Sequence, residues 1–161
     1  MNADVKASLL TRLSETHTAT REILDGIDLE ICVFSDTDWR IRDILGHIAT
    51  WDRILANALK AYIEGSQFVV IHDWDKEEVE FNHRAVQEQR KFSTEGLTDE
   101  WEQAHKEFID ALSAMPLEKL SGDYVYPWAD ERGDIVALVE IMIDHNAGHL
   151  EDIAKAIEEN K

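Results

Sequence analysis

Cysteine is almost absent from this chain: Cys32 is the only one in 161 residues, so no internal disulfide can form. No charged-then-apolar leader precedes Ala3–Leu13, and the two absences together lead us to expect a cytoplasmic protein. Long hydrophobic runs are missing as well. The longest, Ile135–Ile143, is interrupted by Glu140 and falls far short of the roughly 20 apolar residues that cross a bilayer. Basic residues are scarce: 16 Lys and Arg stand against 34 Asp and Glu, a formal charge of −18. That charge repels nucleic-acid phosphates and anionic lipid headgroups, which excludes nucleic acid and membrane as partners. The acidity itself reads as a well-solvated surface. Repeats, linkers and low-complexity tracts are absent, and the length suits one ordinary domain, so residues 1–161 are expected to fold as a single unit without a structural crosslink. Strand patterning is also lacking, apart from β-branched residues at Phe68–Ile71.

Helical periodicity fills the space these absences leave. From Ala3 to about Ile27, Val5, Leu9, Leu13, Thr16, Ile23, Leu24 and Ile27 fall on one side of a first helix, and Gly26 breaks it. Cys32, Val33 and Phe34 follow as a loop. A second helix is predicted from Trp39 to Glu64, stopped by Gly65, with Ile41, Ile44, Leu45, Ile48, Trp51, Leu55 and Leu59 on its buried stripe. The connection from Gly65 to Thr98 is long and holds a shorter charged helix from about Trp74 to Phe92. Such a crossover lets the third long helix run parallel to the second. That third helix is predicted from Thr98 to Met115, stopped by Pro116. After the loop Leu117–Gly133, Asp134 caps a last helix running to about Glu159. Four long amphipathic helices with no sheet to cover make an all-α bundle.

Three histidines point into that bundle. His145 and His149 lie four apart, one turn above the other, on the stripe Leu138, Met142, His145, His149, Ile153 and Ala156. His47 sits at the edge of the second helix's stripe, between Ile44 and Trp51. Buried imidazoles need partners, and three on two neighbouring helices are what a divalent metal ion asks for. Asn146 stands where zinc peptidases carry a glutamate after the first histidine, so a peptidase is disfavoured. Asp43, four before His47, and Asp152, three after His149, are candidates to hold the outer imidazole nitrogens. Trp51 and Met142 flank the histidines by one turn, and Trp128 belongs with Trp39, Trp74, Tyr124 and Tyr126 to a group that packs the bundle ends or lines a pocket mouth. Gly148 reads as close helix packing or as room beside a metal. His105 reads as a satisfied core histidine, and His17, His72 and His83 have no partner spacing.

The segment Trp39-Arg40-Ile41-Arg42-Asp43-Ile44-Leu45-Gly46-His47-Ile48-Ala49-Thr50-Trp51-Asp52 resembles the second helix of the DinB-like (YfiT-like) superfamily. Asp144-His145-Asn146-Ala147-Gly148-His149-Leu150-Glu151-Asp152-Ile153 resembles its fourth, and the region Trp74–Asn82 is similar to the DfsB/ClbS-like branch. The resemblance implies an up-down-down-up four-helix bundle, a homodimer, and a divalent metal held by His47, His145 and His149. Zinc, nickel, iron and manganese all accept such ligands. It also implies chemistry on a small molecule, as a hydrolase or as a transferase with a thiol co-substrate. Two alternatives stand beside the enzyme: a non-catalytic bundle that sequesters a metal or small molecule, and a dimeric structural protein without metal. Arg40 departs from the family's Ser or Thr at the start of the second helix, which shifts the cap to Asp38 or removes it.

Overall fold

A computed structural model describes Met1–Lys161. Five helices carry the fold: α1 (Asn2–Ile23), α2 (Ile41–Ile63), α3 (Trp74–Gln89), α4 (Thr94–Ala114) and α5 (Ile135–Glu159). The chain is an all-α bundle whose four long helices run up-down-down-up, and contacts between named residues fix each direction. Lys6 near the start of α1 reaches the carbonyls of Ser113 and Met115 at the end of α4, while His17 meets Glu102 nearer the start of α4; α1 and α4 are antiparallel. Arg53 of α2 pairs with Glu100 and Glu107 of α4, and Lys119 just beyond α4 bonds the carbonyl of Ile63; α2 and α4 are parallel. Asn146 of α5 bonds Asp52 of α2, and the His47 ring packs against His149, so these two are antiparallel. The long crossover with α3 inside it makes the parallel α2–α4 pair possible.

Burial follows the apolar stripes. The first half of α2 (Ile41, Ile44, Leu45, Ile48) packs with Trp101, Ala104 and Ile153. Its second half (Trp51, Leu55, Leu59, Tyr62) packs with Phe108, Leu112, Leu138 and Val139. His47 lies where the two clusters meet. Each fully buried Leu or Ile contributes about 1.5–3 kcal/mol, so α2, buried along most of its length, is the mast of the molecule.

Several expectations need correction. The third long helix begins at Thr94, not Thr98, because Ser93 is the cap: its hydroxyl accepts from the Gly96 N–H at 3.0 Å. Thr98 lies inside the helix, where its hydroxyl donates back to the Thr94 carbonyl at 2.9 Å. α1 ends at Ile23, short of Ile27, and Gly26 turns the chain in the left-handed region at φ 71°. Its buried face includes His17 and Thr20. The segment Cys32–Phe34 is a strand, β1, paired antiparallel with β2 (Trp39–Arg40), and β3 (Tyr124–Val125) pairs with β4 (Arg132–Gly133). Ladders of two or three residues are too short to leave an alternating pattern. Phe68–Ile71 is not a strand; the N–H groups of Val70 and Ile71 both reach the Pro127 carbonyl. No helix is long and apolar enough to cross a membrane.

Candidate metal centre

Two helix starts aim the histidines. The β1–β2 ribbon delivers the chain to α2, where the Arg40 N–H donates to Asp43 Oδ2 at 2.9 Å and closes the first turn. The cap is therefore neither lost nor moved to Asp38, since Asp43 supplies it from three residues into the helix. On α5, Asp134 caps as expected, accepting from the Ala137 N–H at 2.7 Å. About two turns into α2 and three to four turns into α5 the rings converge. His47 and His145 bring their Nε2 atoms to 3.0 Å, and ring centroids lie 5.0 Å apart for His47–His145 and His47–His149 and 4.6 Å for His145–His149. One nitrogen from each ring falls within 4.8 Å of the others.

The outer nitrogens decide which atoms face inward. His145 Nδ1 lies 3.0 Å from Asn146 Oδ1, and the Asn146 amide donates to Asp52 Oδ1 at 3.2 Å. That carboxylate orients the amide, so its oxygen faces the ring, Nδ1 carries the proton, and the Nε2 lone pair is left for the centre. His149 Nδ1 meets Asp152 Oδ2 at 3.2 Å, which frees its Nε2 in the same way. His47 Nδ1 is buried with no partner, and its ring is held by packing, with the Trp39 ring 5.2 Å away. Asp43 does not reach it. Both Asp43 oxygens are taken by Arg90, at 2.9 Å each, and by the Arg40 N–H, so its expected place beside His47 is corrected to a helix-start clamp. Asp152 does lie beside His149.

Burial keeps the imidazoles neutral. Desolvation holds His47 well below the ordinary 6.5; it brings His145 down to about 4, with His149 adding to the fall and Asn146 opposing it. His149 is lowered by the same cause against the pull of Asp152. The three therefore offer lone pairs at neutral pH. In a tetrahedron with metal–nitrogen bonds of about 2.0–2.1 Å, ligand nitrogens stand about 3.3 Å apart, close to the Nε2 separation found here. The donor set thus fits a divalent ion that accepts imidazole.

Above the histidines opens a pocket of about 670 Å³, a size typical of small-molecule sites. Trp51, Met142 and Trp128 line it, and so do Trp39 and Trp74. Tyr124 and Tyr126 do not: Tyr124 packs on Tyr62, and the Tyr126 hydroxyl bonds the Asp134 carbonyl. Gly148 faces open space, so close helix packing is not its role.

Sequence reasoning missed two residues behind the site, Asp52 and Asn146. A signal for Asp52 existed, an acid four after Ile48 and three before Leu55 on a buried stripe. Asn146 gave none, since its partner lies 94 positions away. It also missed a second histidine cluster: His17 stacks on His105 at 3.8 Å and on Trp101 at 3.9 Å, and lies 2.9 Å from Glu102. His105 thus groups with His17 between α1 and α4 and not with the three-histidine centre.

An up-down-down-up bundle that gathers three neutral imidazoles from antiparallel helices beneath an aromatic pocket defines a DinB-like helical protein with a histidine centre. Residues 7–153 match the family described as the mycothiol maleylpyruvate isomerase N-terminal domain, a DinB-like four-helix family. The chain belongs to that family. No curated protein and no solved structure matches it.

Proposed function

We propose that this protein is a metal-dependent enzyme that transfers a thiol to a small molecule, or hydrolyses one, in the pocket above His47, His145 and His149. The observation that carries this reading is the convergence of three neutral imidazole nitrogens on one point at the floor of a pocket large enough for a substrate. A divalent ion held there supplies an electrophilic centre, able to polarise a substrate and to lower the pKa of a thiol or water. The chain's own residues do the rest. Asn146 and Asp152 hold two rings in the tautomer that presents Nε2, and Asp52 fixes the Asn146 amide. The indoles of Trp51 and Trp128, buried and packed 6.0 Å apart, exclude water from one wall.

The family name supports a thiol co-substrate, mycothiol, in preference to hydrolysis. The homodimer that the resemblance implies and the cytoplasmic location expected from the sequence belong to the same proposal. The experiment is thiol consumption with a panel of model electrophiles on metal-loaded protein. Turnover that depends on metal and is abolished in His145→Ala is the expected result. Metal bound at the site with no turnover across a broad panel would favour the sequestering bundle.

A further inference from the structure

The walls of the pocket carry one sign of charge. Asp75, Glu78, Asp130 and Glu131 line it, and no lysine or arginine does. Asp75 and Glu78 stand three apart on α3, hence on one face, and neither makes an ion pair or a side-chain hydrogen bond. Asp130 accepts the Trp74 backbone N–H at 2.6 Å and Glu131 accepts the Trp128 indole N–H at 2.9 Å, so these two orient the aromatic wall while keeping their charge. Neither meets a cation. Elsewhere some acids are paired, as Glu30 with Arg40 and Arg42, Glu102 with Arg21, and Asp43 with Arg90, and the others are scattered over the molecule. What sets the pocket apart is that four such carboxylates line one cavity with no cation among them.

The second component is aromatic. Trp51, Trp74 and Trp128 pack against one another with centroids 5.8–6.0 Å apart, and the Trp51 indole N–H is fixed by Asn82 at 2.9 Å. Their ring faces form a wall that attracts flat apolar groups and cations alike. The neutral histidines on the floor add no positive charge, and even the double charge of a bound ion leaves the lining with a negative excess.

We propose that the pocket selects small flat ligands bearing an ammonium group, with the ring against the indole wall and the cation among the Asp75 and Glu78 carboxylates, and discriminates against organic acids. This deepens the enzyme reading by naming its substrate class, and rests on it only for the chemistry at the floor. An acid of the size of the pocket meets four carboxylates and no cationic partner on the protein. An amine of the same shape meets four carboxylates and several π faces.

The test is calorimetric titration of three ligands of one shape, phenethylamine, hydrocinnamamide and hydrocinnamate, at low ionic strength. It is run on metal-free and on metal-loaded full-length protein and on the Asp75→Asn/Glu78→Gln variant, with metal content measured on each sample. The expected result is that the amine binds at least about tenfold more tightly than the acid, with the amide between them, and that salt narrows the gap. In the double variant, amine affinity falls about fivefold while amide affinity is unchanged, which separates the local carboxylates from the chain's general negative charge. Hydrocinnamate binding as tightly as the amine to either form would overturn the proposal. So would no binding of any of the three, or a preference that survives the double substitution. Because the metal-free titration reads the walls alone, an absent metal site would defeat the enzyme reading without touching this result.

Discussion

Asp52 is the residue on which the site's support makes its sharpest demand. It is wholly buried, its Oδ2 has no partner, and desolvation pushes its carboxyl up from 3.8 to about 7 against the pull of Asn146. The folded state therefore holds this proton more tightly than the unfolded chain, and the contribution of Asp52 to stability falls as pH rises from 3.8 to about 7. Buried histidines act in the opposite sense. His105, brought to about 4 mainly by desolvation, disfavours the folded state as pH falls from 6.5 toward 4. Comparison with Asp52→Asn isolates the acid. Between about pH 5 and pH 8 the variant should gain on the wild-type protein by on the order of 3 kcal/mol in urea unfolding, and an unchanged difference would contradict this. Legibility at this scale was divided by sequence distance. His145 and His149 declare themselves because four residues make one turn, and His47 because it shares a stripe with Ile44 and Trp51. The Asp52–Asn146–His145 chain joins two helices through an amide, and no local spacing encodes that.

Elements were legible wherever a stripe ran for several turns, and less so at their ends. The first turn of α2 shows why: its cap is an acid inside the helix, and that acid is also committed to Arg90. Asp43 is 2% exposed, so Asp43→Ala uncaps α2 and removes the partner of Arg90, whose guanidinium reaches solvent. The expected cost is about 1–2 kcal/mol in denaturant unfolding, with metal content unchanged where the protein stays folded. Loss of metal from the folded variant would return Asp43 to the His47 ring. Two glycines on helices separate packing from propensity. A Cβ at Gly46 would stand 2.9 Å from Gln89 Cβ and 3.4 Å from Leu97 Cδ1, where α3 and α4 close on α2. Gln89 Cβ cannot swing away from its helix, so Gly46→Ala should destabilise by about 1–3 kcal/mol. At Gly148 a Cβ meets nothing within 4 Å, and Gly148→Ala should raise stability by about 0.5–1 kcal/mol. Thermal melts of the two variants check the pair, and shifts of the same sign would contradict it.

At the scale of the whole molecule, the up-down-down-up order places the start of α2 against the later half of α5, and that register alone brings three histidines from two distant segments to one floor. The sequence allowed this topology through the long crossover. Trp74 of the crossover helix α3 stood among the aromatic candidates for a pocket mouth, but the sequence did not disclose that Asp75 and Glu78 would join it, because that helix is mostly exposed and its charges read as a solvated face. The formal charge of −18 likewise does not tell that four acids without a cationic partner gather on one cavity. All these features serve one claim, that the three imidazoles hold a divalent ion. The direct measurement is elemental analysis of protein purified without a histidine tag, beside His47→Ala and His149→Ala. The account predicts close to one divalent ion per chain, lost in both variants while each keeps its helical spectrum. Wild-type protein that carries no metal, and gains no thermal stability when zinc or nickel is added, would contradict it and leave the three histidines as a polar patch of the core.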